Sequence, residues 1–157
     1  MRRTRAERAE SPAAYEAWRA KGEPALLIAR PRTFMNASGV AVAELLRREP
    51  VSLGGLLLIC DDVNLPLGRA RLRPRGSDGG HNGLLSVSEE LGTTEFPRLR
   101  LGIGPRPPEM TLTEFVLEEF REEEEGAVEA LVERGAEAAL AFARDGLEAV
   151  MREFNRE

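Results

Sequence analysis

The only histidine of this chain, His81, lies in a loop in which four of the eight residues 76–83 are glycine. A histidine titrates near neutral pH, so His81 could act as a general base or donate a hydrogen bond. Glycines let backbone N–H groups approach a ligand, and the helix predicted to follow would favour an anion at its N-terminus. The alternative is that His81 only caps that helix. Asn82 faces the same choice between holding a carbonyl or water and capping.

Two acids follow an apolar run at residues 56–60 that we interpret as a buried strand. Sites in α/β folds lie at the carboxyl ends of strands, where Asp61 and Asp62 are then expected. Asp61 could orient a histidine or accept a proton, or it could be a cap or turn residue. Asp62 is interpreted as a turn acid. Cys60, the only cysteine, excludes an internal disulfide and is predicted to be a buried packing residue.

Six arginines alternate along two strand-like segments, which predicts that those of each segment share a face. Guanidinium groups bind phosphates in a bidentate fashion, and a solvated strand face is the alternative. Aromatic residues make up only 5% of the chain, which favours recognition of a nucleic-acid backbone over stacking on bases. These arginines are Arg69, Arg71, Arg73 and Arg75 on one segment and Arg98 and Arg100 on the other.

Several kinds of chemistry have no motif in this sequence. One histidine and one cysteine disfavour a metal site, and no H-E-x-x-H pattern is present. The chain also has no G-x-G-x-x-G, Walker or G-x-S-x-G motif. We therefore expect no cofactor.

The composition is that of a folded protein with an uneven charge distribution. The net charge is −5, but residues 114–157 carry 14 acids and five arginines, which leaves the rest of the chain at about +4. No apolar stretch approaches the roughly 20 residues of a membrane span. The acids among residues 1–24 argue against a transit peptide. A single domain in the cytoplasm is the expectation.

The pattern of strands alternating with helices predicts an α/β fold. Residues 1–24 form a charged segment with a weak helical tendency around 13–20, and the folded domain is expected over 25–157. The predicted strands cover 25–29, 56–60, the arginine segment 69–75, and 98–104. The predicted helices cover 40–48, 84–91, 112–119, 126–144 and 147–155.

Four segments together resemble the bacterial peptidyl-tRNA hydrolase family. They read P-R-T-F-M-N-A-S-G at 31–39, D-D-V-N-L-P-L-G at 61–68, G-G-H-N-G-L at 79–84 and F-P-R-L-R-L-G-I-G at 96–104. The resemblance runs from about Pro24 to Asn155. It implies a monomeric α/β domain with a twisted mixed sheet between helices, and a mobile connection near 105–108.

The resemblance also implies a reaction, hydrolysis of the ester between a peptide and tRNA without a metal. Asn36 and Asn82 would position the peptide and the water, with Phe34 and Met35 beside them at the substrate. Asp61 would orient a catalytic histidine, and His81 would support the substrate near the ester. The resemblance places Arg73 and Arg100 on the tRNA 5′ phosphate.

The family's opening strand, its G-x-G-N-P-G loop and its T-R-H-N segment, which supplies the general base, have no counterpart in this sequence. The first strand, loop and helix of the fold are therefore expected to be missing, and the chain alone is expected to hydrolyse peptidyl-tRNA poorly or not at all. One alternative is a non-catalytic RNA-binding module of the same fold. Another makes His81 the base, paired with Asp61.

Overall fold

The computed structural model describes residues 6–8, 14–21 and 25–155. These residues divide into two units. The first unit comprises the described residues up to 56 together with 75–96, and the second comprises 57–74 and 97–155. None of the helices in the described ranges has the length and apolar character needed to cross a membrane.

The first unit contains an antiparallel three-stranded sheet in the order β1-β2-β3. Tyr15 and Ala17 of the middle strand are buried against Ala41 of the following helix. The helical tendency expected around 13–20 is therefore wrong, because sheet pairing on both sides outweighs the local preference of an alanine-rich segment. The strands are β1 (Ala6–Arg8), β2 (Tyr15–Ala20) and β3 (Leu26–Pro31).

Two helices of the first unit, α1 (Ser38–Arg48) and α2 (Asn82–Leu91), pack closely where Gly39 meets Ser86. The Gly39 N–H donates to Ser86 Oγ at 3.0 Å. A Cβ on Gly39 would lie 2.2 Å from the Ser86 carbonyl oxygen, so this approach requires glycine. The predictions of both helices are confirmed.

The second unit contains a mixed sheet in the order β4-β6-β5, with β6 parallel to β4 and antiparallel to β5. Leu72 and Leu99 point to one face and are fully buried in a core that includes Phe142 and Val150. The strands are β4 (Leu58–Pro66), β5 (Ala70–Arg73) and β6 (Arg98–Gly104). The helices are α3 (Leu112–Leu117), α4 (Glu125–Asp145) and α5 (Leu147–Phe154).

The outer edge of β5 is closed by a side chain. The Asn155 amide donates to the Leu72 carbonyl at 2.9 Å, and its oxygen accepts from the Leu72 N–H at 3.1 Å. At Leu72, the Asn155 side chain therefore makes the two backbone hydrogen bonds that a neighbouring strand would make.

The α/β fold class is confirmed, but two strand boundaries were predicted wrongly. The strand expected to end at residue 60 continues to Pro66, because Asp61 and Asp62 pair in register with Leu101 and Gly102 of β6. Both acids therefore lie inside β4 rather than after it. The arginine strand is limited to Ala70–Arg73.

Candidate functional site

His81 is the N-cap residue of α2 in the first unit. Its Nδ1 accepts the backbone N–H groups of Gly83 at 3.1 Å and Leu84 at 3.2 Å. A neutral imidazole that accepts at Nδ1 carries its proton on Nε2, so that nitrogen is a donor. This tautomer, assigned from the hydrogen bonds, favours a donor role for His81 over a general-base role.

Two carboxamides of the first unit are exposed and do not act as caps. Asn82 is the first residue of α2 and Asn36 lies within a short 3-10 helix, Met35–Ala37, whose N-cap residue makes no side-chain hydrogen bond. Among the residues that the structure describes, neither carboxamide has a hydrogen bond. Their donors and acceptors are therefore available to a ligand.

An apolar surface accompanies these amides. Phe34 is 87% exposed and Met35 is 56% exposed, which is unusual for large apolar side chains. The 3-10 helix packs on α2, and the Met35 sulfur lies 2.6 Å from where a Cβ on Gly83 would stand. The first unit thus brings Met35 next to the turn that carries His81 and Asn82.

Asp61 and Asp62 point to opposite faces of the sheet in the second unit, since side chains alternate along a strand. Asp61 is half-buried and shares the face of its register partner Leu101, whereas Asp62 is buried on the face of Arg100. Asp62 is not the turn acid expected from the sequence. Its carboxylate is 3% exposed and lies 2.8 Å from Arg100 Nε.

The arginines of β5 and β6 share the face that carries Asp62, with Arg71 opposite Arg100 and Arg73 opposite Arg98. Arg73 and Arg100 therefore lie on one face, diagonal to each other. Arg98, however, is buried at 2% exposure and is not on the accessible surface.

The prediction that all four arginines of the segment 69–75 share a face is wrong. β5 contains only Arg71 and Arg73, and Arg69 precedes it. Arg75 lies beyond the strand, in the first unit, where its Nη1 is 3.2 Å from Glu95.

Ion pairs are unevenly distributed among the arginines of the chain, and on this face Arg100 has one, with Asp62. Arg19, Arg48 and Arg75 each pair with a glutamate within 3.2 Å. In the described ranges the side chains of Arg71 and Arg73 have no such partner. The face thus has more positive than negative charge, as an anion-binding surface requires.

Cys60 lies on the sheet face that carries Arg100, and its thiol has low reactivity. Burial, with the nearby Asp61 carboxylate, raises the pKa of its thiol to about 11. The thiol is therefore protonated at neutral pH and is a poor nucleophile. No group of three or more histidine, cysteine or acidic side chains within the described part of the chain is placed to hold a metal ion.

Fold and side chains together define an α/β protein with exposed hydrogen-bonding groups at a helix N-terminus in one unit and an arginine face in the other. A family model described as peptidyl-tRNA hydrolase matches residues 1–157. The chain belongs to the peptidyl-tRNA hydrolase family.

Individual relatives agree with the family model. The chain is 47% identical over 138 residues to the peptidyl-tRNA hydrolase of Chlorobaculum parvum, covering 87% of this chain and 72% of that protein. It is 48% identical over 128 residues to that of Salinibacter ruber, covering 82% of this chain and 68% of the relative. The crystal structure of the Acinetobacter baumannii peptidyl-tRNA hydrolase superposes with a TM-score of 0.86 at 22% identity, covering 96% of this chain and 78% of that one, and supports the fold.

The family match begins earlier than the sequence motifs suggested. The family model matches from residue 1 onward, whereas the resemblance was expected to start at about Pro24. The prediction of a missing N-terminal segment is therefore not supported.

Sequence reasoning also missed functional detail in the second unit. The pairing of Asp62 with Arg100 depends on the register of two parallel strands, which no local pattern encodes. The only sequence signal was that both residues are charged and lie in segments otherwise typical of buried strands.

Proposed function

We propose that this protein hydrolyses the ester that links a peptide to the 3′ ribose of tRNA, as its family membership indicates. The observation that carries the proposal is the pair of exposed, unsatisfied carboxamides in the first unit. Asn36 and Asn82 offer both donors and acceptors, which suits a substrate with carbonyl oxygens and amide N–H groups.

His81 serves this reaction as a hydrogen-bond donor. Its Nε2–H would hold an oxygen of the substrate near the ester, while Nδ1 stays committed to the N-terminus of α2. A donor fixed by its own cap needs little reorganisation during the reaction. His81 is thus a supporting group rather than the base that activates water.

Asn82 and Asn36 position the water and the peptide, and Phe34 with Met35 gives the peptide side chains an apolar surface. Asp61 is proposed as the carboxylate that orients a histidine or accepts a proton. These assignments follow the family resemblance.

The tRNA is bound through its phosphates by the second unit. Arg73 and Arg100 are the proposed contacts to the 5′ phosphate, because they share a face that has more positive than negative charge. The protein is proposed to act as a cytoplasmic monomer without a cofactor.

The test is steady-state hydrolysis of N-acetyl-aminoacyl-tRNA by the wild-type chain and by Asn82→Asp, which keeps the shape and one oxygen but loses the amide donor. We expect kcat to fall about 10²-fold, the typical loss of one aligned donor. Glu89→Gln on the exposed face of the same helix is the matched control and should leave kcat unchanged. An Asn82→Asp enzyme as fast as wild type would overturn the assignment.

A further inference from the structure

The buried carboxylate of Asp62 contacts Arg100, one of the two arginines proposed to bind phosphate. Asp62 is 3% exposed at its side chain, and its Oδ2 lies 2.8 Å from Arg100 Nε. Its other oxygen, Oδ1, accepts the Asn64 backbone N–H at 2.9 Å. The carboxylate is therefore held in place by the backbone of its own strand.

The contact uses only one edge of the guanidinium. The ion pair is close, although the N–H is not aligned for a hydrogen bond to Oδ2. Across the described residues Arg100 has no other ion pair or hydrogen bond from its side chain. The Nη1–Nη2 edge therefore remains available, and the side chain is 28% exposed.

We propose that Asp62 is a positioning residue, which holds Arg100 by Nε so that its Nη1–Nη2 edge is presented to the tRNA phosphate. This inference rests on the phosphate-binding role proposed above for Arg100. A free arginine loses rotamer entropy when it is ordered on a ligand. An arginine already held by a buried acid loses less of it on binding.

Charge alone predicts the opposite change in phosphate binding when Asp62 is removed, which makes the inference easy to test. If Asp62 acted only through its charge, it would repel phosphate, and its removal would strengthen binding. If Asp62 positions Arg100, its removal weakens binding despite the gain in net positive charge.

The experiment measures the Kd of deacylated tRNA with and without its 5′ phosphate for wild type, Asp62→Asn, Arg100→Ala and the double variant. Wild type should prefer the phosphorylated tRNA about tenfold, the effect of one hydrogen-bonded contact to a charged group. Asp62→Asn and Arg100→Ala should each reduce the preference to the part that Arg73 supplies, and the double variant should lose nothing more. Glu95→Gln, which removes one negative charge beside exposed Arg75, is the matched charge control and should keep the preference.

The outcomes separate the two claims. A wild-type protein without the preference would contradict the phosphate role of Arg100, and the inference with it. A preference that Arg100→Ala reduces but Asp62→Asn retains in full would overturn the inference alone, as would tighter binding by Asp62→Asn.

A further variant covers the case in which Asp62→Asn does not fold. Arg100→Lys keeps the positive charge but has no second edge, so its ammonium pairs with Asp62 and the preference should fall as far as in Arg100→Ala. An Arg100→Lys protein with the full preference would show that a guanidinium held at Nε is not needed.

Discussion

At the scale of single residues, His81 combines a structural and a proposed functional role. Its Nδ1 satisfies two N–H groups that begin α2, which leaves Nε2 as the donor. The sequence is compatible with either a cap or a chemical role, and the geometry shows the cap. A cap that also fixes the tautomer is compatible with substrate support near the ester.

The cap can be tested by two replacements of His81. His81→Ala should lower the free energy of unfolding by about 1 kcal/mol, while His81→Asn should change it little, because asparagine is an effective N-cap. Chemical denaturation measures both. If His81 is a donor, His81→Asn should also hydrolyse peptidyl-tRNA faster than His81→Ala. Equal losses of 10²-fold or more in both variants would instead indicate a general base.

The raised pKa of Cys60 predicts slow alkylation. A thiol whose pKa lies at about 11 instead of the ordinary 9.0 has about 100-fold less thiolate at pH 8. Iodoacetamide should therefore modify the native protein about 100-fold more slowly than the unfolded chain, and the rate should rise steeply as the pH approaches 11. Native and unfolded proteins that react equally fast at pH 8 would contradict the shift.

At the scale of the elements, the sequence predicts the helices better than the strands. The four-residue apolar stripe at Leu147, Val150, Met151 and Phe154 places α5 almost as observed. Strand ends depend instead on long-range pairing, so β4 continues through two acids and β2 forms in a segment with helical tendency.

The crossing of α1 and α2 depends on the lack of a side chain at Gly39. Gly39→Ala should destabilise the protein by about 3 kcal/mol, because its Cβ would meet the backbone of Ser86 rather than a movable side chain. Gly126→Ala, at the equivalent second position of α4 with open space around it, should instead stabilise slightly. Thermal unfolding of the two variants measures the difference, and equal shifts in Tm would refute the packing argument.

The side chain that closes the edge of β5 gives a second prediction at this scale. Asn155→Ala removes both bonds to the Leu72 backbone and should cost about 2 kcal/mol of unfolding free energy. Asn155→Asp should not restore it, since a carboxylate would face the Leu72 carbonyl. Arg152→Ala in α5, the helix that ends just before Asn155, is the surface control. A loss of unfolding free energy as large as that of Asn155→Ala would contradict the account.

At the scale of the whole molecule, an acidic chain can bind a nucleic acid because the charges are unevenly distributed. The net charge is −5, yet Arg71 and Arg73 have no acidic partner in the described residues. The uneven distribution along the chain is visible in the composition, since residues 114–157 carry 14 acids and five arginines. It did not predict that Arg98 is buried or that Arg75 pairs with Glu95, because both depend on tertiary packing.

Salt dependence tests the arginine face as a whole. Binding of tRNA should weaken as salt rises, since phosphate contacts release counterions. Arg73→Ala should reduce the slope of log Kd against log salt by about 1. Arg144→Ala is the control, because Arg144 is paired with Asp145 at 2.6 Å, and it should leave the slope unchanged. Identical slopes for wild type and Arg73→Ala would remove Arg73 from the interface.

The central claim is that this chain cleaves the ester of peptidyl-tRNA, and single-turnover release of an N-acetyl-amino acid from its tRNA tests it most directly. The account predicts release faster than the spontaneous reaction, and slower release by Asn82→Asp. Release at the spontaneous rate, with tRNA still bound through Arg73 and Arg100, would contradict it and identify an RNA-binding module of the same fold.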